Sequence, residues 1–150
     1  MANYQANRIR CSKETASRLI TKDGDAFLHP IDFRQALDMD PYDKIEWGVS
    51  YGWDVGIQVL EDRRFDFGFM TRWFSDLETI KAFITKYPEA EWWINQDMVD
   101  IYHYYWQDGE VIEDLHPLTE VEENYLEDLW DKRHDAGDEK EYYDLIFTAK

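Results

Sequence analysis

Two short runs of alternating apolar and polar residues, close together in the chain, limit the fold more than any other feature. Trp53, Val55, Ile57 and Val59 alternate with Asp54, Gly56 and Gln58, and Phe65, Phe67 and Phe69 resume the pattern after Glu61-Asp62-Arg63. A strand points successive side chains to opposite faces, so this period marks strands with one buried face. The short polar connection makes the pair a β-hairpin. Trp53, Val55, Ile57, Phe65, Phe67 and Phe69 are expected to share a core with Ile80 and Ile84 of a following helix.

The remaining elements follow from local signals. Tyr4 to Cys11 reads as a first strand, and Ser12 to Thr21 as a helix capped by Ser12 and ended at Asp23-Gly24. Residues 25–50 read as irregular, with a helical turn at Phe33–Leu37. Ser75 and Glu78 form a capping box for a helix with Leu77, Ile80, Ile84 and Tyr87 inward, ending at Pro88. Glu91–Gln96 and Val99–Gln107 read as strands, and Asp108-Gly109 turns the chain back through Glu110–Glu113. Thr119 and Glu122 cap a further helix with Val121, Tyr125, Leu126, Leu129 and Trp130 inward. Asp138-Glu139 starts a last short helix. The order strand, helix, strand, strand, helix, strand predicts an α+β, ferredoxin-like antiparallel sheet with helices on one face. An acidic β-hairpin and a C-terminal helix are added to it. The expectation is one domain over residues 1–150, with an acidic extension from about residue 115.

Charge divides the chain unevenly. Residues 1–88 hold 14 acids and 12 bases, a net of −2; residues 89–150 hold 19 acids and 4 bases, a net of −15; together they make −17. Folding needs no such concentration, since clustered carboxylates repel one another. A surface this negative repels nucleic acid and anionic lipid and attracts proteins with basic, nucleic-acid-binding clefts. Aromatics at 17% argue against an acidic disordered chain. The one cysteine, Cys11, excludes an internal disulfide framework and a CxxC metal site, which suits a reducing cytoplasm. The sequence carries no signal-peptide pattern at MANYQANRIR and no membrane-length apolar run, so a soluble, cytoplasmic protein is expected.

Several segments resemble a known family. Met1-Ala2-Asn3 with Asn7-Arg8-Ile9, then Trp47-Gly48, Tyr51-Gly52-Trp53-Asp54-Val55, and Phe67-Gly68-Phe69-Met70-Thr71-Arg72-Trp73 are similar to the motifs of the YubB ferredoxin-like family of phages and plasmids. Lys86-Tyr87-Pro88 and Asp108-Gly109-Glu110 fall where that family places them, and the likeness covers about residues 1–114. The family's F-x-T-x-W strand runs into a Ser-Pro-Pro turn; here Phe74-Ser75-Asp76 follows Trp73. The resemblance implies a ferredoxin-like fold and a mobile-element origin, and supplies no catalytic residue.

Signals for chemistry are weak. Cys11 has four histidines as conceivable partners, His29, His103, His116 and His134, but no motif frames a nucleophile. His116-Pro117 beside Glu113-Asp114 matches no standard ligand spacing. No glycine-rich loop cradles a phosphate. Trp47, Trp53 and Trp73 suit packing between sheet and helices better than a ligand cleft. The expectation is therefore a non-enzymatic protein without cofactor or metal.

Recognition signals lie in the acidic half. Of residues 99–106, Ile101, His103 and Tyr105 fall on one strand face, and Tyr102, Tyr104 and Trp106 on the other. Either the strand is covered on both sides or an aromatic row is exposed for a partner. Glu120, Glu123, Glu127 and Asp131 form a row on one helix face, spaced much like the phosphates of a nucleic-acid strand. With Asp97, Asp100, Asp108, Glu110, Glu113 and Asp114 they make an expected partner-binding surface. The function expected is inhibition of a host nucleic-acid-targeting defence complex by charge mimicry, as anti-CRISPR proteins do, the target being a CRISPR effector or a restriction enzyme. The alternatives are a phage or plasmid accessory module acidic only for solubility, and a small-molecule-binding ferredoxin-like domain.

Overall fold

The computed structural model describes residues 4–20, 31–38, 51–72, 77–96 and 100–135. In chain order the elements are β1 (Tyr4–Cys11), α1 (Lys13–Leu19), β2 (Ile31–Asp32), α2 (Phe33–Ala36), β3 (Tyr51–Val59), β4 (Phe65–Arg72), α3 (Leu77–Lys86), β5 (Glu91–Gln96), β6 (Asp100–Gln107), β7 (Glu110–Pro117) and α4 (Glu120–Asp135). Six strands form one antiparallel sheet in the order β3-β4-β1-β5-β6-β7, and two-residue β2 adds to the outer side of β3. β1 and β3, joined through α1, flank β4; β4 and β5, joined through α3, flank β1. The aromatic β6 and the acidic β7 extend this same sheet to its edge, so the architecture is α+β.

Alternation divides the sheet into two faces. On the first, Ile9 and Cys11 of β1, Phe65, Phe67 and Phe69 of β4, and Trp92 and Ile94 of β5 are buried in one cluster with Leu19 of α1 and Ile80, Phe83 and Ile84 of α3. Phe33 of α2 stacks on Trp92 at 4.9 Å, and Phe83 meets the same indole edge-on at 5.7 Å. The buried indole N–H donates to Asn7 Oδ1 at 3.0 Å, so the one polar atom of the largest core side chain is satisfied. At the rim, Glu89 accepts from the Ser12 backbone N–H, the Ser12 hydroxyl and the Thr15 hydroxyl, locking the start of α1 to the chain after α3.

Trp93 and Ile101 are buried but stand outside that cluster, because they lie on the second face. That face is crossed by α4, which touches β3 and β4. Sixteen helical residues reach about 24 Å. The five strand spacings from β7 to β3 also total about 24 Å. The helix therefore bridges the sheet from one side to the other.

Local signals and structure differ at identifiable places. The register of β3 on β4 slips between Trp53 and Gly56, so the alternation from Trp53 to Val59 is not continuous. The pairing of Ile31 and Asp32 with Gly52 and Tyr51 left no mark in the sequence, since two residues are too few for a period. Val121, expected inward, is 79% exposed. It sits in the first turn of α4, where the chain leaves edge strand β7. Leu77 is likewise exposed at the start of α3, and β7 runs on past Glu113 to Pro117. Ser75, Asp23-Gly24, Asp138-Glu139, and the side chains of Trp53 and Val55 lie outside the described residues.

The buried Asn7–Trp92 pair and the Phe67 packing set measurable stabilities. Asn7→Leu should cost about 1–3 kcal/mol by stranding the indole N–H. Phe67→Ala should cost about 3–5 kcal/mol through the cavity it leaves. Urea unfolding of each variant checks both; a change below about 0.5 kcal/mol in either would contradict this core.

Candidate functional site

The second sheet face carries a charged and aromatic clasp. Alternation in β1 places Arg8 and Arg10 between Asn7, Ile9 and Cys11, and alternation in β4 places Asp66 between Phe65 and Phe67. Asp66 is fully buried, and its carboxylate accepts from Arg10 Nε and Nη2 at 3.1 Å each, from Arg8 Nη2 at 3.3 Å, and from the Tyr125 hydroxyl of α4. The fork on Arg10 is bidentate, the geometry that best orients a carboxylate. The Arg8 guanidinium lies between the Trp93 ring at 4.1 Å and the Tyr125 ring at 4.2 Å. Trp93 in turn stacks on His103 at 4.5 Å, and His103 meets Tyr105 at 4.7 Å. A continuous π ladder thus runs from α4 to β6, following the register Arg8–Trp93–His103.

Electrostatics agree with that geometry. Burial works against the Arg10 charge, but the hydrogen bonds and charge of Asp66 outweigh it and hold the guanidinium protonated more firmly than usual. Burial and the bond to Asp66 push the Tyr125 phenol up, which keeps it the donor. His103 Nε2 lies 3.1 Å from Glu91, and this contact holds the Glu91 carboxyl below its ordinary value despite partial burial. Where β7 leads into α4, His116 Nε2 lies 2.9 Å from Glu122. Glu122 also accepts from the Thr119 hydroxyl and backbone N–H, while its own N–H donates to Thr119, completing the expected capping box. Burial opposes the Glu122 charge; the contacts with His116 and Thr119 prevail and lower its carboxyl.

Beyond the clasp lies the acidic surface. Asp108 and Gly109 both have positive φ, 52° and 85°, as a type I′ turn requires. Asp108, Glu110, Glu113 and Asp114 are exposed on the hairpin, as are Glu120, Glu123, Glu127 and Asp128 on α4. Advancing about 100° per residue, Glu120, Glu123 and Glu127 fall on the side of α4 away from Tyr125. From Tyr87 to Asp131 the sequence contains no lysine or arginine. Asp100 is half-buried in β6. Asp97 and the side chain of Asp131 lie outside the described residues.

The aromatic row takes a different position from the carboxylates. Tyr104 is 6% exposed and belongs to the core of the first face, with Tyr102 and Trp106 packed half-buried against it. Burial and a hydrogen bond with Glu113 push the Tyr104 phenol up. On the other face Ile101 is buried and Tyr105 is half-buried, donating to Asp114 at 2.8 Å. β6 is therefore covered on both sides, and Tyr104 offers no surface to a partner. Cys11 is fully buried, and burial drives its thiol well up, helped by Glu89 and Asp66. A thiol so held is a poor nucleophile. Among the described residues no three His, Cys, Asp or Glu side chains are grouped to hold a metal ion. No described helix is long and apolar enough to cross a membrane. Trp47 and Trp73 lie outside the described residues.

Of these residues Tyr125 was expected inward on its helix; the signal for Arg8, Arg10 and Asp66 was charge at positions alternating with the core-facing Asn7, Ile9, Cys11, Phe65 and Phe67. Asp66→Ala should cost about 3–5 kcal/mol, because two arginines lose their shared carboxylate. A loss below about 1 kcal/mol would show the clasp to be incidental. Glu91 and Glu122 give a pH test. Both folded values lie below the ordinary 4.5, so their stabilisation is present above that pH and is lost as pH falls through the folded values. Tm should drop over that range, and more shallowly in the E91Q/E122Q variant; parallel profiles would refute the two contacts. Compared with protein-family models, with curated proteins and with solved structures, the chain matches none.

Proposed function

We propose that this chain is a non-enzymatic protein of mobile-element origin that blocks a host nucleic-acid-targeting defence complex, as an anti-CRISPR protein does. Its acidic surface would occupy the basic cleft of a CRISPR effector or of a restriction enzyme, in the bacterial cytoplasm. The observation that carries this reading is the exposed run of carboxylates from Asp108 to Asp128, unrelieved by any lysine or arginine between Tyr87 and Asp131. Opposite potentials speed association with a basic cleft and penalise docking on acidic surfaces. The order β3-β4-β1-β5, with crossovers through α1 and α3, supports a ferredoxin-like centre. The sheet is larger than a standard one by β6 and β7. The same arrangement is in keeping with the resemblance to the YubB family.

A second reading, an accessory module acidic only for solubility, is favoured by one observation. Several of the exposed carboxylates stand on an edge strand, where charge deters edge-to-edge aggregation. The two readings part on one variant, in which Glu120, Glu123, Glu127 and Asp131 become the neutral amides.

The test begins with a tagged pull-down from a defence-competent bacterial lysate, followed by affinity measurements across salt concentrations. The four-amide variant should bind the recovered nuclease or effector complex on the order of tenfold more weakly at low salt, with a shallower salt dependence. Unchanged affinity and slope, together with unchanged inhibition of nucleic-acid binding, would leave the solubility reading in place.

A further inference from the structure

Strand β7 has a second edge, and its chemistry is specific. The two-residue Asp108-Gly109 turn makes Gln107 and Glu110 a pair that exchanges both backbone hydrogen bonds. Inward and outward backbone groups alternate from there, so Ile112, Asp114 and His116 bond to β6 while Val111, Glu113 and Leu115 direct N–H and C=O away from it. Pro117 falls on the same outward parity, where a residue without an N–H breaks no ladder bond. Register is continuous over all eight residues, with no bulge to twist the edge away. Among the described residues no strand pairs with this side. Glu113, Asp114 and Leu115 are exposed in succession, Leu115 at 54%.

We propose that β7 binds an extended basic segment of a partner protein by strand addition, with the outward amides of Val111, Glu113 and Leu115 as the pairing edge. This rests on the reading that the acidic surface meets a basic partner. Main-chain bonds would supply affinity, and side chains beside the edge would supply selectivity. The partner strand places lysine or arginine against Glu113 on one face and Asp114 on the other, and an apolar residue against Leu115. Charge rules out a second copy of this chain, because two β7 edges would set carboxylate against carboxylate.

The probe is an eight-residue peptide with blocked ends, bearing adjacent Arg and Lys flanked by valine and threonine. Free protein should exchange the amides of Val111, Glu113 and Leu115 faster than those of Ile112, Asp114 and His116, and the peptide should slow the outward set selectively. Leu115→Pro repeats the outward proline already present at Pro117, removes no bond to β6, and should weaken peptide binding by about tenfold or more. N-methylating alternate peptide amides should give a similar loss with the protein untouched. Equal binding by the methylated peptide, unchanged exchange of the outward amides on binding, or dimerisation of the chain through this edge would overturn the proposal. No peptide binding, with salt-dependent binding to the defence complex retained, would overturn strand addition and leave the charge reading standing. Loss of both would defeat both.

Discussion

The carboxylate of Asp66 lies beneath α4, shut off from water, and accepts hydrogen bonds from Arg8, Arg10 and Tyr125. A buried ion is tolerated only when its charge is matched and its lone pairs are filled, and here both conditions hold. Two arginines share this one carboxylate beneath α4, and Glu91 also feels the charge of Arg10. Tyr125 converts the attraction into a fixed pose, with a ring on Arg8 and a hydroxyl on Asp66. The clasp thereby decides which side of α4 meets the sheet and which side presents Glu120, Glu123 and Glu127 to solvent.

The acidic residues of β7 and α4 are thus built into the fold. β6 buries its own Tyr104 on one face and Ile101 on the other, and its pairing ties β7 to the hydrophobic centre. Some of the carboxylates have internal tasks: Glu122 closes the helix cap and holds His116, Glu91 holds His103, and Asp114 accepts from Tyr105. The exposed carboxylates that the described contacts do not engage, such as Glu110, Glu120, Glu123 and Glu127, add mutual repulsion. The proposed function concerns the whole exposed run, Glu113 and Asp114 included.

Elements set by local chemistry were legible in the sequence. Phe65, Phe67 and Phe69 are buried as their alternation predicts, Thr119 and Glu122 form their box, and Asp108-Gly109 adopts the positive φ values its turn needs. What escaped depends on contacts distant in sequence. Nothing local to the two arginines of β1 reveals that Tyr125, over a hundred residues later, stacks on Arg8 and shares Asp66 with both. Whether the aromatic rows of β6 are open depends in the same way on distant contacts, such as that of α3 with β6 on the first face. The acidic surface was legible both as composition and in its division between the Asp108-Gly109 hairpin and the Glu120, Glu123 and Glu127 row of α4.

Native-state hydrogen exchange on Asp66→Asn tests the central claim, that the buried carboxylate docks α4 on the sheet. The substitution keeps size but places an amide against two guanidinium groups. Selective loss of protection in α4, with the amides of β1, β5 and α3 still slow to exchange, is the result this account predicts. Unchanged protection of α4 would contradict it, as would uniform loss through sheet and helix together.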